Sequence, residues 1–171
     1  MKKTTIQHLL IILFCIIAPV GLKAQQIEKT VSGETYIINT TRNVIVNKND
    51  LGGFDKIKGG CDYYSIEEPT SFNDIVKAAF TKEKLEFLAK ENRVIAILFC
   101  CNSDGFVESA QFLMRKTKYS YLDYDPTSIT LKEINDMNQR LKKYKFVLND
   151  PCPNIEYYRV SRMIRFSDLI K

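Results

Sequence analysis

With 171 residues, 25 basic and 20 acidic side chains, the chain is the size of one domain with an apolar core. Its single histidine, His8, lies in the apolar N-terminal stretch, so a Ser-His or Cys-His couple, imidazole ligation of zinc and a histidine pH switch are excluded from the rest of the chain. The net charge of +5, of which Lys2, Lys3 and Lys23 contribute three, is too small for the domain-wide basic surface of a nucleic-acid-binding protein.

Residues 1–24 have the layout of a secretory signal peptide. A basic start is followed by an apolar run from Leu9 to Ala18 and by a small residue, Ala24, after which we expect cleavage. The competing interpretation is a retained membrane anchor, but the run is about half of the roughly 20 residues that span a bilayer. We therefore expect an exported protein, in the periplasm or secreted, with no stable membrane span after cleavage.

Residues 25–60 predict a β-rich N-terminal arm that ends in glycine-rich turns. Glu34–Ile38 and Asn43–Val46 are rich in β-forming residues and predict two short strands. Gly52-Gly53 and Gly59-Gly60 follow, and neither pair has the Gly-Lys-Ser/Thr sequence of a phosphate-binding loop. We interpret both pairs as flexible turns that separate the arm from the main domain.

The main domain, residues 61–171, begins with a helix predicted over residues 71–92. Ser71 and Asp74 have the spacing of a capping box, and apolar residues follow along one stripe. Thr81 interrupts the stripe and predicts either a kink or a second start of the helix.

A β-hairpin is the best-supported local prediction in the chain. Val94–Phe99 is a continuous apolar run, long enough for a strand but short for a helix. Asn102–Gly105 supplies the residues that a tight reversal prefers, and Phe106–Met114 resumes with apolar and polar residues mixed.

A second helix and a final strand complete the predicted fold. Thr130 and Glu133 form a capping box, and an apolar stripe runs from Leu131 to Tyr144. Ile155–Phe166 predicts a strand with one apolar face and one polar face. The fold class is therefore α+β, a small antiparallel sheet with two helices in the order α-β-β-α-β, plus the N-terminal arm.

Four cysteines remain after cleavage: Cys61, Cys100, Cys101 and Cys152. An even number in an exported chain permits two disulfides in any of three pairings. Cys100 and Cys101 are adjacent in a strand and face opposite ways, so we expect them to bond different partners rather than each other. The alternative is that both are small buried hydrophobes. No C-x-x-C spacing is present, so we expect no metal site.

The order of elements from Ser71 onward resembles the C-terminal domain of TonB and TonB-like envelope proteins over roughly residues 71–168. Asp104-Gly105-Phe106-Val107 matches the Gly-x-Val pattern that follows the hairpin turn in that family, and Lys145-Phe146 matches the Phe at the end of its second helix. The resemblance implies a non-enzymatic module whose last strand pairs with a short extended segment of a partner protein.

For this chain, the resemblance places the contact with another envelope or extracellular protein on the last strand, at Ile155, Tyr157, Arg159, Ser161, Met163 and Arg165. We expect Arg159 and Arg165 to select acidic or polar partners. No cofactor is expected.

Two other functions remain open. A secreted inhibitor or surface-interaction protein could act through the loop Tyr119–Pro126, where basic residues run into interleaved tyrosines; ordinary packing is favoured over nucleic-acid stacking there. A hydrolase could use Asp123 or Asp125, but these acids, like Glu67-Glu68, sit beside a proline in turn-like sequence, where solvated carboxylates are far commoner than catalytic pairs. We therefore expect no enzyme activity.

Overall fold

One antiparallel sheet of six strands organises the chain in a computed structural model that describes residues 26–39, 42–58, 66–67, 71–115, 129–148 and 154–170. The strands are β1 (Gln26–Val31), β2 (Glu34–Asn39), β3 (Val44–Asn47), β4 (Ile66–Glu67), β5 (Val94–Asn102), β6 (Val107–Arg115), β7 (Val147–Leu148) and β8 (Tyr157–Arg165). The helices are the 3-10 helix Lys48–Lys56 and the α-helices α1 (Ser71–Lys77), α2 (Lys82–Lys90), α3 (Leu131–Leu141) and α4 (Phe166–Leu169). The fold is α+β, as predicted.

The large sheet has the strand order β1-β2-β3-β6-β5-β8, and every neighbouring pair is antiparallel. The β-rich segment predicted before residue 60 is continuous with this sheet, because β3 pairs with β6 and places Ile45 opposite Phe112. β4 and β7 form a separate two-stranded sheet. β1 and β8 are therefore the two edges of the large sheet among the described strands.

The predicted hairpin is present as β5 and β6. Asn102 closes its turn, since its side-chain oxygen accepts the backbone N–H groups of Asp104 (3.1 Å) and Phe106 (3.0 Å). Gly105 has a φ of 88°, a left-handed conformation that glycine adopts without a steric penalty. The register shifts between Cys100 and Cys101, where a β-bulge adds one residue to β6.

The helices bury one face of the sheet. Ile95, Ile97 and Phe99 alternate along β5 toward this core, and α3 contributes a buried stripe opposite them: Ile134, Met137 and Leu141. The predicted capping box of α3 is formed, because Glu133 N–H donates to Thr130 Oγ1 (3.2 Å) and Thr130 N–H donates to the Glu133 carboxylate (2.6 Å). This cap sets where α3 begins over the sheet.

The expectation of two helices is replaced by four α-helices in the part of the chain that the structure describes. The helix predicted over residues 71–92 is two helices, because Thr81 has an extended backbone and its hydroxyl accepts the N–H of Lys84, as an N-cap residue does. A further short helix, α4, follows β8 directly. None of the described helices is long and apolar enough to cross a membrane.

The opposite face of the sheet is partly covered by the 3-10 helix. Gly52 and Gly53 lie inside this helix instead of in the predicted flexible turn. Gly53 is buried against Ser109 of β6, and a Cβ atom at Gly53 would overlap the Ser109 side chain. The glycine is therefore required by a close approach of the helix to the sheet.

Candidate functional site

The outer edge of β8 is the candidate site. β8 has nine residues in an unbroken antiparallel ladder with β5, from Val94 opposite Arg165 to Asn102 opposite Tyr157. No described strand pairs with its other side. A long, regular edge strand presents a row of backbone donors and acceptors that a further strand can bind.

One backbone hydrogen bond shows which residues of β8 face this edge. The N–H of Phe166 donates to the carbonyl of Arg93 at 3.2 Å, so position 166 directs its backbone groups toward β5. In an antiparallel ladder this direction alternates from one residue to the next. The even positions, 158 to 164, therefore bond β5, and the odd positions direct their N–H and C=O groups outward.

The outward positions are Tyr157, Arg159, Ser161, Met163 and Arg165, which are five of the six partner-binding residues that the sequence predicts. The sixth, Ile155, lies just before β8 and is half-buried. The side chains of the last four outward residues are exposed, Met163 by 59%. Residues 159, 161, 163 and 165 therefore have both an exposed side chain and outward-pointing backbone groups.

The even positions of β8 serve the core. Tyr158, Val160 and Ile164 are buried, whereas Arg162 interrupts this face and is half-buried. The Arg162 guanidinium lies 5.7 Å from the ring centroid of Phe146, and one of its N–H groups donates to the Ser161 carbonyl at 3.3 Å. Arg162 therefore adds a third positive charge beside the edge. Its hydrogen bond uses the Ser161 carbonyl, which points outward, as the acceptor.

A cleft of about 200 Å³ borders the C-terminal half of this edge. Phe72 and Asn73 of α1 form one wall, Asp168 and Leu169 of α4 form another, and residues 162–165 of β8 form the floor. Sequence reasoning missed the four helical residues. No local signal could have indicated them, because the cleft exists only when α1 and α4 pack beside the same strand.

A second cleft, of about 280 Å³, lies at the start of β8. Its lining residues are Lys56, Lys58, Asn154, Ile155, Glu156 and Tyr157. Lys56 lies 4.8 Å from the ring centroid of Tyr157 and forms a 2.9 Å ion pair with Glu108. The hydrogen bond to Glu108 raises the pKa of Lys56, so this ammonium stays charged.

Cys100 and Cys101 are free, fully buried thiols, which agrees with the alternative that treated them as small hydrophobes. Cys101 belongs to the core, whereas Cys100 faces the 3-10 helix and its Sγ donates to the Gly53 carbonyl at 3.2 Å. Burial, with a smaller contribution from Glu108, raises the pKa of Cys100 from 9.0 to about 11, and burial also raises the pKa of Cys101. Neither thiol is a nucleophile at neutral pH, because the thiolate is the reactive form.

Several sequence-predicted residues lie outside the described part of the chain. They are Cys61, Cys152, Glu68, Asp123, Asp125 and the remainder of the loop Tyr119–Pro126. Within the described part, no three His, Cys, Asp or Glu side chains are placed to hold a metal ion.

A buried polar cluster between β2 and α3 was not predicted. The Tyr36 hydroxyl donates to Asn135 Oδ1 at 2.9 Å and accepts from Asn138 Nδ2 at 3.4 Å, and burial raises the pKa of Tyr36. Nearby, Lys142 forms a 2.7 Å ion pair with Asp50, which is only 3% exposed. These bonds connect the N-terminal strands and the 3-10 helix to α3.

Neither a protein-family model nor a curated protein sequence matches the chain. Among solved structures, the chain is similar to the crystal structure of a DUF5043 family protein from Bacteroides uniformis, with a TM-score of 0.62 and 18% sequence identity. The similarity covers 84% of this chain and 93% of that chain. At this identity the comparison establishes a shared fold.

Proposed function

We propose that this protein is an exported, non-enzymatic protein-binding module of the bacterial envelope, which binds an extended segment of another envelope or extracellular protein along the outer edge of β8. The observation that carries the proposal is the alternation along β8. The residues whose backbone groups point outward, such as Arg159 and Met163, are the ones whose side chains are exposed.

Strand addition explains how such an edge gives both affinity and selectivity. The backbone hydrogen bonds between the edge and the added segment provide affinity, and alternate side chains select the segment. Each hydrogen bond contributes about 0.5–1.5 kcal/mol net, so a ladder of several bonds supplies part of the affinity and the side-chain contacts supply the rest.

The charges along the edge favour an acidic partner. Arg159 and Arg165 lie on the same face of β8, six residues and therefore roughly 20 Å apart, and Arg162 lies between them on the other face. The segment that fits best has acidic residues about six positions apart on one face.

The order of elements supports the same proposal. The helix α2, the hairpin of β5 and β6, the helix α3 and the strand β8 occur in this chain order, with the short strand β7 between α3 and β8, and β8 lies beside β5 at the sheet edge. The signal peptide expected at residues 1–24 carries the domain to the compartment where such partners are found.

Affinity capture from envelope and culture extracts tests the proposal. The parent protein is compared with Arg159→Glu/Arg165→Glu and with a matched control, Lys132→Glu/Lys143→Glu, which reverses two exposed charges in and after α3. We expect the parent and the control to recover an outer-membrane or other envelope protein, and the β8 variant to lose it. Equal recovery by all three forms at low salt would rule out the β8 edge.

The same experiment distinguishes the envelope-binding module from the second candidate function, a secreted inhibitor or surface-interaction protein. If all three forms recover a soluble enzyme, the protein is better described as a secreted inhibitor or surface-interaction protein, and the loop Tyr119–Pro126 becomes the next segment to vary.

A further inference from the structure

The two edge strands of the large sheet run in opposite directions. Every neighbouring pair in the order β1-β2-β3-β6-β5-β8 is antiparallel and the number of strands is even, so β1 is antiparallel to β8. A second copy of the chain, moved along the sheet without being turned over, therefore brings its β1 antiparallel to the β8 of the first copy. Within the described ranges, no strand covers either edge.

The turn after β1 shows which of its residues face outward. Ser32 and Gly33 have positive φ angles of 51° and 82°, as in the two-residue type I′ turn of a β-hairpin. The pair of residues that flanks such a turn is hydrogen-bonded, so position 31 and the other odd positions of β1 bond β2. The even positions direct their N–H and C=O groups outward: Gln26, Glu28 and Thr30.

Glu28 and Arg159 lie on the same face of the sheet. The Glu28 carboxylate forms a 3.0 Å ion pair with Lys48, at the start of the 3-10 helix. Arg159 is opposite Cys100 in the ladder with β5, and Cys100 directs its Sγ toward Gly53 of the same helix. Both charged side chains therefore lie on the face that carries the 3-10 helix, and both are exposed.

One register between β1 and β8 suits both faces of the sheet. It places Glu28 of one copy opposite Arg159 of the next, so that opposite charges meet across the two strands. On the other face, Ile27 packs at the margin of the core, and this register brings it opposite the buried Val160. The ladder then continues the core and the charged face from one copy into the next.

The charges disfavour a pair of copies joined through β8 alone. β8 contains no acidic residue, and two joined β8 edges would bring together the same three arginines from each copy: Arg159, Arg162 and Arg165. In the register described above, Lys29 of β1 comes opposite Tyr158 and on the other face from Glu28. β1 is therefore the strand of a second copy that complements β8.

We propose that copies of this protein associate head to tail, with β1 of one copy added to β8 of the next and Glu28 paired with Arg159. The contact goes beyond the proposed function, because its occupant is a second copy of this chain and it requires no export. A head-to-tail contact leaves a β1 edge and a β8 edge at the two ends of the assembly, so association continues beyond a dimer. A ladder of six residues is smaller than the interface of a stable oligomer, and the association is therefore weak and reversible.

Sedimentation equilibrium of residues 25–171, which include every described element, tests this contact. At low ionic strength, where surface ion pairs are least screened, we expect the weight-average mass of the parent to rise beyond that of a dimer from about 10 μM to about 1 mM. Glu28→Arg and Arg159→Glu should each weaken association about 3- to 30-fold, since like charges then face each other. The matched control Glu86→Arg reverses another exposed acid that pairs with a lysine, and it should associate as the parent does.

Exchanged charges give a second readout. The double variant Glu28→Arg/Arg159→Glu should regain the association of the parent, and so should an equimolar mixture of the two single variants, because every junction then joins opposite charges. A parent that stays monomeric or stops at a dimer, or a mixture that associates no more strongly than its components, would overturn the proposal. Glu28 lies outside β8, so Glu28→Arg should still capture an envelope partner, and failure of self-association is thus distinct from failure of partner binding.

Discussion

The backbone N–H of Phe166 donates to the carbonyl of Arg93 at 3.2 Å. Because this bond lies at the end of the continuous β5–β8 ladder, it shows in which direction the backbone groups point along the whole of β8. Since the pairing continues without a bulge to Tyr157, the alternation holds throughout the strand. The amides of β8 that bond no described strand can therefore be identified residue by residue, and each can be measured separately.

Hydrogen exchange followed by NMR should show this alternation. The amides of Val160, Arg162 and Ile164 bond β5 and should be protected by at least about 100-fold relative to their neighbours Ser161 and Met163, whose amides point outward. Similar protection at odd and even positions in dilute protein would show that another segment already covers the edge. Protection of the odd amides that grows with protein concentration would show that a second copy binds there.

Gly53→Ala should destabilise the fold by about 1–3 kcal/mol, because the added Cβ overlaps the Ser109 side chain and pushes the 3-10 helix away from the sheet. Gly52→Ala is the matched control, since a Cβ there meets no atom within 4 Å. Urea unfolding gives both values. In a Ser109→Gly background the Gly53→Ala penalty should shrink, and an unchanged penalty would assign the effect to some other cause.

Lys142→Met should cost about 2–4 kcal/mol of the free energy of unfolding, because it leaves the nearly buried Asp50 carboxylate without its 2.7 Å partner. Lys143→Met removes an exposed neighbouring charge and should cost less than about 0.5 kcal/mol. Adding Asp50→Asn to Lys142→Met should recover part of the loss, since the uncompensated charge is then gone. Full additivity of the two changes would mean that the ion pair contributes nothing.

Alkaline pH should weaken the fold through Cys100. Its pKa is raised from 9.0 to about 11 by burial, so the folded state holds the thiol proton more tightly than the unfolded state does. This contribution is complete below pH 9 and is lost as the pH rises toward 11. Between pH 8 and 10.5 the parent should lose about 1–2 kcal/mol more than Cys100→Ala does. Parallel pH profiles would indicate that Cys100 does not ionise on unfolding, as in a disulfide.

The elements that sequence predicted well are those with strong local signals. The apolar run of β5, the turn at Asn102 to Gly105 and the capping box of Thr130 and Glu133 each depend on residues close together in the chain, and each is present. The alternating faces of β8 were also predicted, because period-two patterning is visible in the sequence.

The features that sequence did not predict depend on contacts between distant segments. Gly52-Gly53 is typical of a flexible turn, and only the approach of Ser109 explains why this glycine pair lies in a helix packed on the sheet. The pairing of β3 with β6 and the cleft between α1 and α4 likewise join residues far apart in the chain. Local propensity carries no information about such contacts.

Ser161→Pro should weaken partner binding by at least about 10-fold while leaving the fold intact. The N–H of Ser161 points outward, so proline at this position removes a donor from the open edge and no hydrogen bond to β5, and edge strands accept proline at such positions. Ser161→Ala is the matched control, because it removes the hydroxyl and retains the N–H. We expect a Tm within a few degrees of the parent for both variants, a loss of capture of at least about 10-fold for Ser161→Pro, and unchanged capture for Ser161→Ala, measured by pull-down against the partner recovered with the parent. A folded Ser161→Pro protein that binds as the parent does would show that the partner is not added as a strand at β8.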